Sequence, residues 1–498
     1  MFHPSDTIVA IATPPGRGGV GLVRISGPDA LTIGRALLCG APELVARHAT
    51  LARVCDSSGH ALDEAIATYF AAPHSYTTED IVEIAAHGSP ALLGEIVRAS
   101  VGLGARVAER GEFTLRAFLN GRLDLVQAEA VADLVDAVTP LQARVAFDQL
   151  EGTLTERIGD ADRQLFDLAA RLEASLDFPD EGYHFVAPGE VGASLQQVRA
   201  KVEELLDSAR LGRVIRDGRQ IAILGKANVG KSSLFNWLVG SDRAIVGELP
   251  GTTRDLVTES VDFEGIRLGL VDTAGIREGT DEVEREGVAR ARRAGAVADV
   301  VLLMRDLARP CDDEDDRLVE ETAGARRIIV WNKSDLVDES AIAAAVGSTS
   351  GGPARPGEGG QSVGRGVGTA AGWDAVCPGR NESLEFARGN VGVAVVSLTT
   401  GAGLDALRQC LRAALECEGD VPRDTAMVTN LRHERLLRVA HESLTRALAG
   451  LDVAGGGHGE ELVLADIADA RRAFEEVTGA RTSEDVLRHI FSRFCVGK

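Results

Sequence analysis

Two motifs constrain the fold of this chain more than any other feature, Gly225–Ser232 (GKANVGKS) and Asn332–Asp335 (NKSD). The first fits the pattern G x x x x G K S, whose glycines let backbone N–H groups close around a phosphate. Its lysine adds a positive charge, and its serine adds a hydroxyl that can bind magnesium. In the second motif, Asn332 and Asp335 can bond the edge of a guanine base, and Asp335 accepts from groups that adenine lacks. The pair therefore predicts a domain that binds GTP.

The segments between these motifs have the order that such a site requires. Gly251–Asp255 (GTTRD) offers hydroxyl groups on a loop. Asp272–Gly275 (DTAG) follows the apolar run IRLGLV, which places Asp272 at the end of a strand and near the metal. Each motif is short and carries little weight alone, since most isolated glycine-rich stretches are ordinary turns. Their order, with strands and helices alternating between them, predicts a P-loop α/β domain.

Length, charge and cysteine spacing limit the class of protein. The chain has 498 residues, which at about 100–200 residues per domain predicts about three domains. Its net charge of -22 argues against a surface that binds nucleic acid everywhere, so any contact with RNA must be local. The seven cysteines show neither a C x x C pair nor metal-ligand spacing, a pattern typical of a reducing compartment. Without a secretory signal or an uncharged apolar run of about 18 residues, we expect a cytoplasmic protein that has no membrane span.

Hydrophobic spacing divides the chain into four parts and predicts a multidomain α+β and α/β fold. Residues 1–122 mix short apolar runs with turn signals, which predicts a small α+β domain. Residues 123–217 and 422–498 carry apolar side chains at spacings of three and four, which predicts two halves of one discontinuous helical domain. Residues 218–421 form the inserted P-loop α/β domain. Within them, residues 347–372 are so rich in Gly, Pro and Ser that we expect a disordered insertion.

Further segments are long enough to identify a family. They are DTIVAIATPPGRGGVGLVRISG (6–27), SYTTEDIVEIAAHG (75–88), GEFTLRAFLNGRLDLVQAEAVADL (111–134) and the terminal FCVGK (494–498). Together with the GTPase motifs, they make the chain resemble the MnmE (TrmE) family of tRNA-modifying GTPases nearly end to end. Only the glycine-rich insertion falls outside this resemblance.

The resemblance implies three structural parts and an activity. The N-terminal domain would bind a tetrahydrofolate derivative and form a homodimer, and the helical domain would carry an inserted G domain. With MnmG, an FAD-containing partner, such proteins add an aminomethyl or carboxymethylaminomethyl group to the wobble uridine of certain tRNAs. They use GTP hydrolysis and a one-carbon unit from 5-formyl- or 5,10-methylenetetrahydrofolate. The two proteins would form a heterotetramer or a larger complex.

The resemblance also assigns the GTP site. The expected nucleotide contacts are Asn228, Val229, Gly230, Lys231, Ser232, Ser233, Gly247, Thr252, Thr253, Asp272, Thr273, Ala274, Gly275, Asn332, Lys333, Asp335, Ser397, Leu398 and Thr399. Ser232 and Thr253 would bind magnesium. Lys226 and Ala227 replace the Arg and Pro expected in this family, but both occupy variable positions of the motif.

A potassium ion and an acid complete the expected machinery for hydrolysis. The ion would offset charge that develops on the phosphates when two G domains pair. Its ligands would be Asn228, Thr252 and the backbone carbonyls of Gly247 and Leu249. Glu284 matches the acid that orients the attacking water. Without the resemblance, Asn228 would be interpreted as a turn residue and Glu284 as a solvated side chain.

The expected folate site combines the N-terminal domain with the C-terminus. Its residues would be Arg24, Glu83, Arg122 and Lys498. The glutamate tail of a folate suits cations, and the N–H groups of its pterin suit a carboxylate such as Glu83. Arg122 stands where the family has Lys, which keeps the charge but changes its geometry. Cys495 becomes a candidate for the modification chemistry as nucleophile, acid or spacer, although a thiol so near a chain end is usually frayed.

Two other functions fit the motifs taken by themselves. One is a regulatory GTPase switch that signals or assists ribosome assembly without modification chemistry. The other is a folate-dependent one-carbon enzyme in which GTP is only regulatory. The sequence does not locate the surface that would bind tRNA, because most charged helix faces are simply exposed to water. Its candidates are two groups of arginines: Arg210, Arg213, Arg216 and Arg219, or Arg432, Arg435 and Arg438.

Overall fold

The computed structural model describes residues 6–40, 43–177, 188–241, 257–271, 298–322, 324–349, 391–415, 424–453 and 458–497. The chain forms two compact units. Unit 1 consists of Met1–Asp136, Val145–Asp207 and Asp424–Lys498, and unit 2 consists of Ala137–Arg144 and Ser208–Arg423. The domain boundaries expected from the sequence are finer than this division and stay a prediction.

Unit 1 contains a seven-stranded sheet in the order β3-β4-β5-β6-β2-β1-β7. Its strands are β1 (Ile8–Ile11), β2 (Gly18–Ser26), β3 (Leu38–Cys39), β4 (Ala49–Cys55), β5 (Ala61–Phe70), β6 (Ile81–Gly88) and β7 (Arg106–Val107), and its helices are α1 (Ala30–Leu37), α2 (Pro90–Gly102) and α3 (Glu112–Leu119). In β6, Val82 and Ile84 are fully buried and share a core with α1 and α2. Glu83 and Ala85 point to the opposite face, because side chains alternate along a strand. The predicted α+β fold of this region is confirmed.

The next segment forms long helices, as its apolar spacing predicts. They are α4 (Leu125–Asp136), α5 (Pro140–Leu150), α6 (Thr153–Asp177) and α7 (Pro188–Asp217). In α6, Leu154, Ile158 and Leu165 recur at helical spacing and are almost completely buried. One stripe of the helix therefore faces the core, while exposed side chains such as Glu156 face water.

Unit 2 is built on a six-stranded sheet in the order β13-β12-β11-β8-β10-β9. Its strands are β8 (Arg219–Gly225), β9 (Val257–Phe263), β10 (Ile266–Val271), β11 (Val300–Asp306), β12 (Arg326–Asn332) and β13 (Val391–Val395), and its helices are α8 (Lys231–Ser241), α9 (Asp313–Glu321), α10 (Glu339–Thr349) and α11 (Leu404–Leu415), with a 3-10 turn at Ser334–Leu336. Neighbouring strands are parallel except β9, which runs antiparallel to β10. The predicted parallel sheet is confirmed, and its buried central strands account for the continuous apolar runs. Residues 347–349 of the predicted insertion complete α10, and 350–372 lie outside the described residues.

The end of the chain returns to unit 1 as three helices, α12 (Leu431–Val453), α13 (His458–Thr478) and α14 (Glu484–Phe491). Helix α13 packs against both α12 and α6. Near the C-terminus, Phe491 and Phe494 share a core with Leu115 and Leu125. The two halves of the helical part are thus joined in space, as predicted. None of the described helices has both the length and the hydropathy that a membrane span requires.

A buried ion cluster connects α4 with the start of α12. Glu129 accepts hydrogen bonds from His433 Nε2 at 2.7 Å, Arg432 Nη2 at 2.8 Å and Asn430 Nδ2 at 3.0 Å. Arg432 also donates to the carbonyl oxygen of Glu476 at 2.7 Å. Burial alone would raise the pKa of Glu129, but the hydrogen bonds and charges of His433 and Arg432 outweigh it and lower that pKa to about 2. The cluster therefore contains an ionised carboxylate over most of the pH range.

We expect the Glu129→Gln variant to lose about 3 kcal/mol of unfolding free energy at neutral pH, because the charges of Arg432 and His433 lose their buried partner. The folded pKa of Glu129 lies below its ordinary value of 4.5, so its contribution is complete above pH 4.5 and disappears as the pH falls towards 2. Urea titrations followed by circular dichroism measure the difference in unfolding free energy between wild type and this variant. That difference should become smaller as the pH falls. Glu151→Gln, at an exposed carboxylate after α5, is the control. A difference in unfolding free energy that stays constant with pH would contradict the lowered pKa of Glu129.

Two cysteines depart from the expectation drawn from their spacing. Cys39 in β3 and Cys55 in β4 form a disulfide, which a reducing compartment does not favour. Among the other described cysteines, Cys311 and Cys495 are free thiols, and the thiol of Cys410 donates to the carbonyl of Val393 at 3.8 Å. Sequence spacing did not reveal this pair, because β3 and β4 bring the two cysteines together only through their antiparallel pairing.

Candidate functional site

The GKANVGKS segment forms the loop between β8 and α8. Asn228 and Gly230 have positive φ angles of 63° and 106°, which asparagine and glycine tolerate better than other residues. A side chain has no room at Gly230, because a Cβ atom there would lie 2.3 Å from Asn332 Nδ2. Backbone turned in this way presents N–H groups to one side of a loop, and α8 adds the positive end of its dipole. The loop therefore has the features of a phosphate site.

Lys231 is held above this loop by backbone oxygens. Its Nζ donates to the carbonyl of Gly225 at 2.8 Å and to that of Lys226 at 2.6 Å. Ser232 and Ser233 follow in the first turn of α8 and are exposed. The ammonium of Lys231 and the hydroxyl of Ser232 are thus neighbours at the start of one helix, as phosphate and magnesium binding require.

The NKSD motif begins at the end of β12 and is fixed by contacts with two other loops. Asn332 is 4% exposed and donates from Nδ2 to the carbonyl of Val229 at 2.9 Å. Its Oδ1 accepts from the Leu398 N–H at 3.2 Å. Lys333, with a φ of 66°, donates to Asp306 Oδ2 at 2.6 Å. The Asn332 amide therefore braces the phosphate loop against the loop after β13.

Asp335 is the exposed acid of the same motif. Ser397 Oγ donates to Asp335 Oδ1 at 2.6 Å, and Ser397 itself is fully buried. The Thr400 N–H donates to Ser397 Oγ at 3.2 Å, which fixes the hydroxyl further. The carboxylate is thus oriented by Ser397 at an exposed position, where the edge of a guanine is expected.

Several expected residues lie outside the described part of the chain. They are Gly247, Leu249, Thr252, Thr253, Asp272, Thr273, Ala274, Gly275, Glu284 and Lys498. Of the expected metal ligands, the structure places Asn228 and Ser232. The roles of all the expected site residues, including these two, stay predictions.

A second group of expected residues lies on the sheet of unit 1, on the face away from α1 and α2. Arg24 in β2 and Glu83 in β6 are directly opposite each other and form an ion pair, with Nε 2.8 Å from Oε1. The same cross-strand row continues through Thr68 in β5 to Ala49 in β4. Both charged side chains are mostly buried, so water screens this pair less than it screens a surface ion pair.

A cavity of about 570 Å³ lies at the end of this row. It is lined by Arg47, Ala49, Thr68, Phe70, His74, Ser75, Tyr76 and Arg122. Arg122 donates to the carbonyl of Ser75, and its guanidinium lies 5.6 Å from the centre of the Tyr76 ring. Arg24 lies 5.5 Å from the same ring, so Tyr76 links the cavity to the Arg24–Glu83 pair. Burial raises the pKa of Tyr76 against the opposing effects of a hydrogen bond with Thr114 and the two arginine charges, so its hydroxyl stays protonated.

The C-terminal tail is attached to the same domain by backbone contacts. Val496 forms an antiparallel β-bridge with Arg110. The Gly111 N–H donates to the carbonyl of Cys495 at 3.4 Å. Because the thiol of Cys495 is exposed while its backbone is held, the tail presents this group to solvent.

Gly497 brings the tail to the ion pair. Its carbonyl accepts from Arg24 Nη1 at 3.4 Å. Its φ is 96°, and a Cβ atom there would lie 2.4 Å from the carbonyl oxygen of Ile11. Of the expected folate residues, Arg122 therefore lines the cavity, while Arg24 and Glu83 form the ion pair that the tail reaches and that Tyr76 links to the cavity. The fourth, Lys498, follows Gly497 directly in sequence.

Tyr76, Arg47 and His74 line the cavity but are not among the folate residues expected from the sequence. A signal existed for Tyr76, an aromatic residue inside the SYTTED segment that carries the family resemblance. Arg47 gave no signal, because only the folded chain shows its φ of 60° and its hydrogen bond to the carbonyl of His74. A bulky residue with positive φ is uncommon and is often found at a functional site.

The arginines considered for tRNA binding are partly engaged within the protein. Arg219 forms an ion pair with Asp299 at 3.1 Å, and Arg438 forms one with Glu434 at 2.8 Å. Arg432 belongs to the buried cluster around Glu129. Paired charges attract a phosphate backbone less than unpaired ones, so the location of the tRNA surface stays a prediction.

Family models and curated relatives match nearly the whole chain. The family model of the MnmE helical domain matches residues 125–495, and that of the GTP-binding protein TrmE N-terminus matches residues 7–122. The chain is 41% identical to the tRNA modification GTPase MnmE of Koribacter versatilis and 38% identical to that of Nitrosomonas europaea, in each case over 99% of both chains. Among solved structures, it is similar to a variant of Era from Aquifex aeolicus bound to GDP.AlF4-, with 22% identity and a TM-score of 0.26 over 45% of this chain and 66% of that chain. A TM-score of this size decides nothing about the site.

Proposed function

The chain belongs to the MnmE (TrmE) family of tRNA modification GTPases, and on that premise we propose that its N-terminal sheet binds a reduced folate for the modification reaction. As a member of this family, it is a GTP hydrolase that acts in tRNA modification. We propose further that it modifies the wobble uridine with an aminomethyl or carboxymethylaminomethyl group. An FAD-containing partner of the MnmG type would act with it, and the folate would supply the one-carbon unit.

One arrangement supports the folate proposal: the cavity, the ion pair and the C-terminal tail adjoin one another. Phe70 and Tyr76 offer aromatic faces against which the flat rings of a folate can pack. Arg122 supplies a cation for a carboxylate of the glutamate tail, and Glu83 can accept from the N–H groups of the pterin. A volume of about 570 Å³ suits a ligand of this size. The thiol of Cys495 would then stand near the bound one-carbon unit.

We expect the Glu83→Gln variant to bind 5-formyltetrahydrofolate about tenfold more weakly, because an amide replaces one of the two oxygens that accept from the pterin. Glutamine keeps the size of the side chain and an acceptor for Arg24. Glu64→Gln, at an exposed position of β5, is the matched control and should bind like wild type. Calorimetry on the full-length protein measures both affinities.

Two results would contradict different parts of the folate proposal. Equal binding by Glu83→Gln and wild type would place the pterin elsewhere. Wild type that releases no heat with the folate, while it still binds GTP, would refute the folate proposal and leave the GTPase assignment intact.

An apolar row beside the ion pair supports a homodimer. Leu51, Ile66, Ala85 and Leu22 are neighbours in register across β4, β5, β6 and β2, on the same face as Arg24 and Glu83. Leu51 is 64% exposed and Ile66 is 47% exposed. A second copy of the chain would remove this row from water. Light scattering that reports a monomer at micromolar concentration would contradict the homodimer.

Magnesium and potassium belong to the proposal for the GTP site. The exposed hydroxyl of Ser232, next to Lys231 at the start of α8, fits a magnesium ligand. The exposed Asn228, held at positive φ in the phosphate loop, fits a ligand for potassium. When bound, these cations would offset the negative charge of the phosphates. Equal rates of GTP hydrolysis in sodium and potassium salts would refute the role of potassium.

A further inference from the structure

Lys226 occupies a variable position of the phosphate loop, yet its side chain is fixed. Its Nζ forms ion pairs with Asp315 Oδ2, at 2.7 Å, and with Asp312 Oδ1. The side chain of Lys226 is 18% exposed and that of Asp315 is 10% exposed. A lysine on a loop usually extends its ammonium into water, where it is strongly hydrated. Here the ammonium instead ties the phosphate loop to the start of α9.

The two carboxylates are held in place by their own contacts. The side chain of Asp312 accepts from the backbone N–H groups of Glu314, at 2.9 Å, and Asp315, at 3.4 Å. In return, Asp315 Oδ2 accepts from the Asp312 N–H at 3.2 Å, which completes a capping box. The carbonyl of Asp315 accepts from the buried Arg305 at 3.1 Å. Lys226 therefore binds a rigid helix end.

The backbone of Lys226 contacts the lysine that meets the phosphates. Its carbonyl accepts from Lys231 Nζ at 2.6 Å, beside the carbonyl of Gly225 at 2.8 Å. Gly225 cannot anchor this turn with a side chain, because a Cβ atom there would lie 2.5 Å from the carbonyl oxygen of Met304. Lys226 is thus the residue that connects the helix end to the carbonyls that orient Lys231.

We infer that Lys226 is a positioning residue: its pairing with Asp312 and Asp315 fixes the carbonyls that hold Lys231 and thereby raises the affinity for the phosphates of GTP. In this role the side chain of Lys226 acts through Lys231, since its own ammonium is paired with the two carboxylates. Its loss weakens binding more than it slows hydrolysis at saturating GTP, because Lys231 and the other groups that contact the phosphates remain present.

The test measures the affinity of the full-length protein for a fluorescent, nonhydrolysable GTP analogue. Lys226→Met should bind about tenfold more weakly, since coupled contacts of this kind change affinity by that order. Lys226→Arg should retain most of the affinity, because a guanidinium can also bridge two carboxylates. Asp315→Asn removes the charge but keeps an acceptor for the Asp312 N–H, and should weaken binding similarly. The double variant Lys226→Met with Asp315→Asn should bind no more weakly than either single variant.

Two further measurements distinguish positioning from general damage. The kcat of Lys226→Met at saturating GTP should stay within about twofold of wild type, while KM rises. Arg412→Met removes a bidentate ion pair with Glu264 elsewhere in unit 2 and should leave the affinity unchanged. Additive losses in the double variant, or an arginine variant as weak as the methionine variant, would overturn the inference. Wild-type affinity in Lys226→Met would overturn it as well.

Discussion

The Asp335→Asn variant is expected to lose GTP affinity by about a thousandfold and to bind xanthosine triphosphate instead, since a site built for hydrogen bonding rejects a ligand that leaves its polar groups unpaired. Guanine offers two donors, the N1–H and the exocyclic amino group, and the carboxylate of Asp335 can accept from both. Asparagine has one acceptor and one donor. Xanthine keeps the N1–H but has a carbonyl in place of the amino group, so it matches asparagine.

The residues around Asp335 explain why the substitution should change the preferred base from guanine to xanthine. Ser397 Oγ donates to Asp335 Oδ1 at 2.6 Å, and Ser397 is fully buried, so the side chain is held in one orientation. Lys333 is fixed to Asp306 at 2.6 Å two positions earlier in the chain. An asparagine at position 335 can accept from the same Ser397 hydroxyl through its oxygen. Its amino group then points where the second carboxylate oxygen was.

The change in base preference is measured by how well unlabelled GTP and xanthosine triphosphate displace a fluorescent GTP analogue from the protein. Asp338→Asn is the matched control, because Asp338 is an exposed carboxylate that accepts from the Ala341 N–H at 3.0 Å, a role that asparagine also fills. This control should keep the preference for GTP. If Asp335→Asn still prefers GTP to xanthosine triphosphate, Asp335 does not contact the base.

The phosphate loop could be predicted from the sequence because its geometry is local. The positive φ angles of Asn228 and Gly230 require residue types that the motif itself specifies. The bracing contacts could not be predicted in this way. Asn332 and Val229 are 103 positions apart, and Ser397 and Asp335 are 62 positions apart, so no local pattern relates them.

In the helical part, too, contacts between residues far apart in sequence could not be predicted. Apolar spacing correctly predicted helices on both sides of unit 2, because one buried stripe is enough to reveal a helix. Spacing does not say which charges the packing brings together. Arg432 was therefore considered as part of a basic patch for tRNA, whereas the structure joins it to Glu129, 303 positions away. The motif likewise marks position 226 only as variable, because the partners of Lys226 at the start of α9 lie beyond any local pattern.

The Gly497→Ala variant is expected to release the C-terminal tail and to lower folate affinity and tRNA modification by about tenfold or more. A residue with a Cβ atom at this φ costs about 1–3 kcal/mol, and the added atom would lie 2.4 Å from the carbonyl oxygen of Ile11. The contacts that hold the described part of the tail include the Val496–Arg110 bridge and the Arg24 hydrogen bond, and a cost of this size shifts the tail towards a detached state.

Three measurements on the full-length variant test this expectation. Carboxypeptidase should remove the tail faster than from wild type, which reports detachment without reference to any ligand. Calorimetry with 5-formyltetrahydrofolate should show the loss of affinity, while GTP turnover should stay unchanged because the GTP site lies in unit 2. Gly94→Ala is the matched control, since a Cβ atom at Gly94 meets nothing within 4 Å. Faster digestion with unchanged folate affinity would show that the tail is not part of the folate site, and unchanged digestion would show that Gly497 does not hold the tail.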